Sequence, residues 1–146
     1  MPDYLVDTNV AARWLQPRDP QYALCRAAVR TLRTRGDAVY VTAQVAVEYW
    51  ALATRPVAAN GLGMTPAHVA PRVRLLLRNI PLLAETEAVF TEWQQLVEGY
   101  GILGRQVYDA RIAAVMLAHG VTHLLTMNPT HFRRFNGITV VEPQHV

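Results

Sequence analysis

No lysine occurs anywhere in the 146 residues, and all fourteen basic side chains are arginine. That absence excludes several chemistries together. A Walker A loop needs its Lys on the phosphates, a Schiff-base enzyme needs a Lys amine, and a phospho-receiver pocket keeps a Lys beside its acids. Cysteine is nearly absent too: Cys25 stands alone, so no intramolecular disulfide can form. There is no run of roughly 18 apolar residues and no charged stretch leading into an apolar core, and Asp3 and Asp7 already lie close to the start. The expectation is a cytoplasmic protein that does not enter a membrane. A chain of this length buries roughly two-thirds of its unfolded surface, so one domain over 1–146 can hold a core without disulfide or structural metal.

Charge is present but nearly balanced, fourteen Arg against eleven acids for a formal net charge of +3. That excess is too small to demonstrate a polyanionic partner. An arginine-only set suits bidentate phosphate contact, although biased codon usage is the plainer and preferred explanation.

The apolar pattern alternates between short β-rich runs and longer helical periods, which predicts an α/β fold. Tyr4-Leu5-Val6-Asp7 reads as a strand ending in an acid, after which Thr8 or Asn9 can cap a helix running to about Leu15. From Tyr22, Cys25, Val29 and Leu32 share one helical face and Arg26, Arg30 and Arg33 the other. Val39–Thr42 reads as the second strand. Ala43–Thr54 reads as a helix apolar on nearly every side and therefore buried. The stretch from Arg55 to Pro66 is the longest irregular connection, a kind of loop that often carries function. A helix through Val69–Ile80, a strand at Leu82–Ala84 and a helix through Val89–Tyr100 follow. Val107–His119 is a further helix, with Gly120 placed as its C-cap. Thr122–Thr126 and Ile138–Val141 complete five strands, with a short helix around Phe132 between the last two. Connections this long cannot be hairpins, so the sheet is expected to be mostly parallel with helices on both faces.

Ligands of such sheets bind beyond the carboxyl ends of the strands, where Asp7 stands. Glu48 is the only charged residue between Asp37 and Arg55, on a helix that otherwise reads as buried. It needs a partner, either Arg55 two turns on or a metal ion. Asp109 opens a helix rich in alanine and valine, where complementing the helix dipole is the plain explanation and a ligand role the sharper one. Three gathered carboxylates repel by about 4 kcal/mol per close pair at an effective dielectric near 20, a penalty that a cation removes. An all-oxygen set selects Mg²⁺ or Mn²⁺ over zinc. The histidines show no paired ligand spacing, and His119 and His123 are assigned no chemistry.

Val6-Asp7-Thr8-Asn9, the lone Glu48, Tyr108-Asp109-Ala110-Arg111-Ile112-Ala113-Ala114, and Leu124-Leu125-Thr126-Met127-Asn128-Pro129 with His131-Phe132 together resemble a PIN-domain ribonuclease. Their order and spacing are similar to those of VapC-like toxins of type II toxin–antitoxin systems, over nearly the whole chain. The resemblance implies a PIN-like three-layer α/β/α fold and a Mg²⁺-dependent endoribonuclease, paired with itself and held inactive by a cognate antitoxin. By position, Asp7, Glu48 and Asp109 become the catalytic, metal-binding carboxylates, with Thr8, Asn9 and Thr126 supporting them. The family's fourth acid falls on Asn128, a neutral amide where a second cation would want a charge. Arg55, Arg105 and Arg111 become rim residues positioning the RNA backbone.

Two features are set aside. Gly99-Tyr100-Gly101-Ile102-Leu103-Gly104 spells a dinucleotide-binding GxGxxG, but it follows a helix instead of a strand and reads as a helix stop. Trp14, Trp50 and Trp93 sit at helical spacings among aliphatics, which favours packing or an oligomer contact over base stacking. The alternatives are a catalytically poor RNA- or protein-binding module on the same fold, and a phosphatase. The latter fails because Asn9 occupies the second acid of its Asp-x-Asp nucleophile pattern.

Overall fold

The computed structural model describes residues 2–146. Short apolar, β-branched runs form β1 (Asp3–Val6), β2 (Ala38–Thr42), β3 (Leu82–Leu83), β4 (His123–Leu125) and β5 (Thr139–Val141). All four pairings are parallel, in the order β3-β2-β1-β4-β5. Six helices connect them: α1 (Thr8–Trp14), α2 (Tyr22–Thr34), α3 (Ala43–Thr54), α4 (Pro66–Asn79), α5 (Glu87–Tyr100) and α6 (Gln106–His119). The chain steps from β1 through β2 to β3 in one direction, then returns across the sheet to β4. Right-handed crossovers therefore place α1–α4 on one face and α5–α6 on the other. The expected three-layer α/β/α architecture is what forms. Its switch of strand order falls between β1 and β4, the place where open parallel sheets bind ligands.

Several local expectations change. The cap of α1 is Asp7, not Thr8 or Asn9: its Oδ1 accepts the Thr8 backbone N–H at 2.7 Å. Asp7 N–H also donates to Leu125 O at 3.0 Å, extending the β1–β4 ladder by one residue. The acid thus ends the strand and begins the helix at once.

The helix buried nearly all round is α6, whose Ala110 and Ile112–Met116 are almost fully enclosed. By contrast α3 buries one face, through Gln44, Val45, Tyr49 and Ala53, and leaves Val47 68% and Trp50 37% exposed. Apolar composition was equal evidence for both helices, and neighbours decided between them. Trp14 is buried beneath the Arg26 guanidinium, 3.6 Å from the ring centroid, and the Trp93 indole N–H donates to Val107 O at 2.9 Å. Gly101 caps α5 and Gly120 caps α6 in left-handed geometry, so the GxGxxG is a helix stop as expected.

The irregular stretch after α3 serves that helix. It turns through a 3-10 segment (Val57–Ala59) and folds back, so that Leu62, Gly63 and Met64 N–H groups satisfy the carbonyls of Leu52, Arg55 and Ala53. Gly61 passes so near that a Cβ there would lie 2.0 Å from Arg55 O. This loop is a backbone cap that fixes Arg55. No helix is long and apolar enough to cross a membrane among the described residues.

Candidate active site

Beyond the carboxyl ends of β1 and β4 lies a cavity of about 670 Å³, lined by Asp7, Glu48 and Asp109 and, around them, Thr8, Asn9, Asn128, His131, Arg13, Arg55 and Arg105. The three predicted carboxylates come from three separate elements: the β1–α1 junction, the middle of α3 and the first turn of α6.

Asp7 is 6% exposed and is held entirely by neutral donors. Besides Thr8 N–H on Oδ1, its Oδ2 accepts the Thr126 hydroxyl at 2.8 Å and the Asn9 amide at 3.2 Å. Those two residues are themselves fixed. Asn9 Oδ1 accepts Met127 N–H at 3.0 Å, and Thr126 Oγ1 accepts Asn128 N–H at 3.0 Å. Thr8, Asn9 and Thr126 therefore support the first acid, as expected by position, and they tie β1 to β4 across the switch point. Asn128 contributes its backbone to this network and lines the cavity. Burial raises the Asp7 pKa to about 6; the Thr126 and Thr8 hydrogen bonds oppose the rise, and Asp109 and Glu48 add to it.

Glu48 finds neither Arg55 nor any other basic partner among the described residues. Its Oε2 accepts the Thr8 hydroxyl and its Oε1 the Gln44 amide at 2.7 Å. Arg55 lines the same cavity without pairing to it. Gln44 N–H also donates to Tyr108 O at 2.9 Å, so one amide locks α3 to the start of α6. Asp109 stands 3.4 Å from His131 Nδ1. Burial raises its pKa, with His131 opposing and Glu48 reinforcing the shift.

Among the expected rim arginines, Arg55 and Arg105 reach the cavity and Arg111 does not. Arg111 is committed elsewhere, to both Glu85 oxygens at 3.1 and 2.6 Å and to Gln44 Oε1 at 3.1 Å. A residue two positions from Asp109 on a helix faces another way.

Among the described residues no three His, Cys, Asp or Glu side chains are gathered closely enough to hold a metal ion as they stand. In kind, however, the donors fit a hard divalent cation: carboxylate and hydroxyl oxygens, no thiol, and two acids lacking a cationic partner. Asp7 in particular is desolvated next to like charge, and a cation removes that penalty.

Gln44, His131, Arg13 and Tyr108 join this site without having been singled out for it. Gln44 carried the clearest signal, lying one turn before Glu48 on an otherwise apolar helix. His131 falls in the motif between Pro129 and Phe132, where nothing local in the sequence points to a role for it.

Comparison with curated proteins returns no match. Among solved structures, a chain of VapBC2 from Rickettsia felis bound to promoter DNA superposes with a TM-score of 0.69 at 15% identity, covering 96% of this chain and 98% of that one. A chain of DNA-bound VapBC from Salmonella typhimurium gives 0.69 at 17%, covering 98% and 99%. VapC20 of Mycobacterium tuberculosis, a toxin that cleaves the sarcin–ricin loop, gives 0.56 at 17%, covering 83% and 86%. At these identities the likeness is one of fold. The family model of the PIN domain matches residues 4–138, nearly the whole sequence, and the chain belongs to that family.

Proposed function

We propose that the chain is a metal-dependent endoribonuclease and the toxin of a toxin–antitoxin pair. The observation that carries the reading is the convergence of Asp7, Glu48 and Asp109 on one cavity at the sheet's switch point, with neutral donors holding the first two. Residues buried as charges without a counter-charge are costly, and function is the usual reason for that cost.

Asp7, Glu48 and Asp109 would hold Mg²⁺ or Mn²⁺. Such an ion supplies Lewis acidity toward phosphoryl oxygens and makes water more acidic. The chain's own residues set up the chemistry. Thr126, Asn9 and the Thr8 N–H orient Asp7; Thr8 and Gln44 orient Glu48; His131 stands against Asp109. Arg55 and Arg105 on the cavity wall offer guanidinium forks to an RNA backbone, while Arg13 beside them is held by Asn9 O at 2.9 Å and by Asp19 at 4.0 Å. The fold likeness to VapBC complexes supports an antitoxin partner, which would bring a basic side chain to this acidic cavity, and a paired toxin in the cytoplasm.

The second reading, a binding module without catalysis, draws on Asn128 in the fourth acidic position and on carboxylates not yet gathered around one point. The test is incubation of purified, partner-free protein with a mixed RNA pool in millimolar Mg²⁺, beside EDTA and Asp7→Asn controls. Discrete fragments that vanish in both controls support the nuclease. RNA left intact but retained on the protein supports the binding module.

A further inference from the structure

A second concavity of about 320 Å³ adjoins the candidate active site and shares Arg105, Asp109 and His131 with it. Its other walls are Gln106, Thr130 and Arg134. The two hollows differ in charge balance. The first sets three carboxylates against Arg13, Arg55 and Arg105; the second sets Arg105 and Arg134, with the Thr130 hydroxyl, against Asp109 alone. Neither Arg105 nor Arg134 pairs with a carboxylate among the described residues. Arg134 is nevertheless oriented, with Nη2 donating to Gln106 Oε1 at 3.1 Å and its guanidinium carbon 5.2 Å from the centroid of the Phe135 ring. A guanidinium placed by neutral neighbours keeps its remaining N–H donors for a ligand.

Resting on the nuclease reading, we propose that Arg105, Thr130 and Arg134 form a subsite for an RNA phosphate adjacent to the one being cleaved. Nucleic acid repeats its anion at every nucleotide. A strand whose scissile phosphate lies over the carboxylates therefore carries the next charge into the neighbouring hollow across the shared Asp109–His131 wall. Two planar forks and a hydroxyl match the oxygens of a phosphodiester. The carboxylate hollow and the arginine hollow thus divide the work, one taking the reacting group and the other holding the neighbouring phosphate.

The test measures binding of a short fluorescent single-stranded RNA pool in EDTA, together with cleavage kinetics in Mg²⁺. Relative to the unmodified protein, the R105Q/R134Q double variant is expected to bind about tenfold more weakly at physiological salt. The slope of log affinity against log salt should fall by about 0.7, the contribution of one phosphate neutralised on a single strand. In cleavage, KM rises while kcat holds. Arg134→Lys, which keeps the charge and loses the fork, falls between. A charge-matched control, R74Q/R78Q on exposed positions of α4, leaves binding nearly unchanged, and unchanged melting temperatures show that the variants fold.

Equal weakening by both double variants would reduce the effect to net charge and overturn the subsite. So would intact binding and KM in R105Q/R134Q, while RNA cleavage by the unmodified protein would leave the nuclease reading standing. Conversely, RNA binding that depends on these two arginines without any cleavage keeps the subsite and removes the nuclease. Binding of a polyglutamate peptide through these arginines, with no RNA bound, would give the surface to a protein partner and overturn the proposal.

Discussion

Two aspartates are hidden almost equally, Asp7 at 6% and Asp37 at 5% exposure, and they live in opposite surroundings. Asp37 stands at the entry to β2 and takes two N–H groups of Arg35 at 3.1 and 3.3 Å. Asp7 stands at the exit of β1 with no cation, three neutral donors and two further carboxylates nearby. An acid buried for structure brings its counter-charge from its own turn. The acid at the other end of the sheet has donors that aim it and nothing that neutralises it. The largest expected effect tests this contrast directly: in the proposed nuclease, Asp7→Asn lowers initial cleavage rates on an RNA pool by roughly a thousandfold, because it removes a carboxylate that would hold the metal. Asp37→Asn leaves those rates unchanged. Equal rates in the two variants would break the contrast.

Stability reverses the ranking. Burial lifts the Asp7 pKa from 3.8 to about 6, so the unfolded chain ionises first and the fold loses stability as pH climbs between those values. At pH 8, in EDTA, the ionised group costs about 2–3 kcal/mol. Asp7→Asn therefore raises the metal-free melting temperature at pH 8, although its amide meets the Asn9 donor and gives part of the gain back. Below pH 4 that gain is absent. Asp37→Asn lowers the melting temperature by losing charge-assisted hydrogen bonds to a partly solvated Arg35, a loss of about 1 kcal/mol. Millimolar Mg²⁺ stabilises the unmodified protein and neither Asp7→Asn nor Glu48→Gln, as binding to the folded state alone requires. Differential scanning fluorimetry across pH, with and without Mg²⁺, reads all of these.

A middle-sized effect belongs to Gln44, which is 9% exposed and ties Glu48 to the carbonyl of Tyr108. Gln44→Leu keeps the volume and strands both acceptors. We expect about a tenfold loss in kcat with KM nearly unchanged, since Glu48 stays present and loses its orientation. A loss of stability of roughly 1–2 kcal/mol, read as a lower melting temperature, should accompany it, from the part-buried Tyr108 carbonyl left unpaired. An unaltered kcat with the same loss of stability would make Gln44 purely structural.

The parts that could be read along the chain were those with a local cause. Asp7 announced itself as an acid ending an apolar strand, Glu48 as a lone charge in an apolar helix, and the parallel sheet as strands too far apart for hairpins. What escaped was decided by residues distant in sequence. Gln44 meets Tyr108 across 64 positions, so its place one turn before Glu48 hints at a shared face but not at the second partner. His131 reaches Asp109 only because the turn after β4 folds beside the start of α6. The all-round burial assigned to α3 belongs to α6 for the same reason: composition shows that a helix can be buried, while the layers around it decide which faces are. The cap of α1 shifted to Asp7 because one residue closes the β1–β4 ladder and opens the helix together.

The smallest expected effect extends the comparison from acids to arginines. By sequence, Arg55, Arg105 and Arg111 were equal candidates for the RNA rim. Arg111 is the one with a full set of partners, both Glu85 oxygens and Gln44 Oε1, on a pair that is about a third exposed on each side. Exposed pairs of this kind contribute about 0.2–1 kcal/mol and weaken as salt is added. Arg111→Gln should thus move the melting temperature by at most a few degrees, with most of the difference gone in high salt, and should leave RNA affinity within about twofold. A double-mutant cycle with Glu85→Gln assigns the stability change to the pair. If Arg111→Gln instead weakened RNA binding as far as R105Q/R134Q does, a satisfied charge would be working as a free one, and the rule drawn from Asp7 and Asp37 would not extend to the cations of this fold.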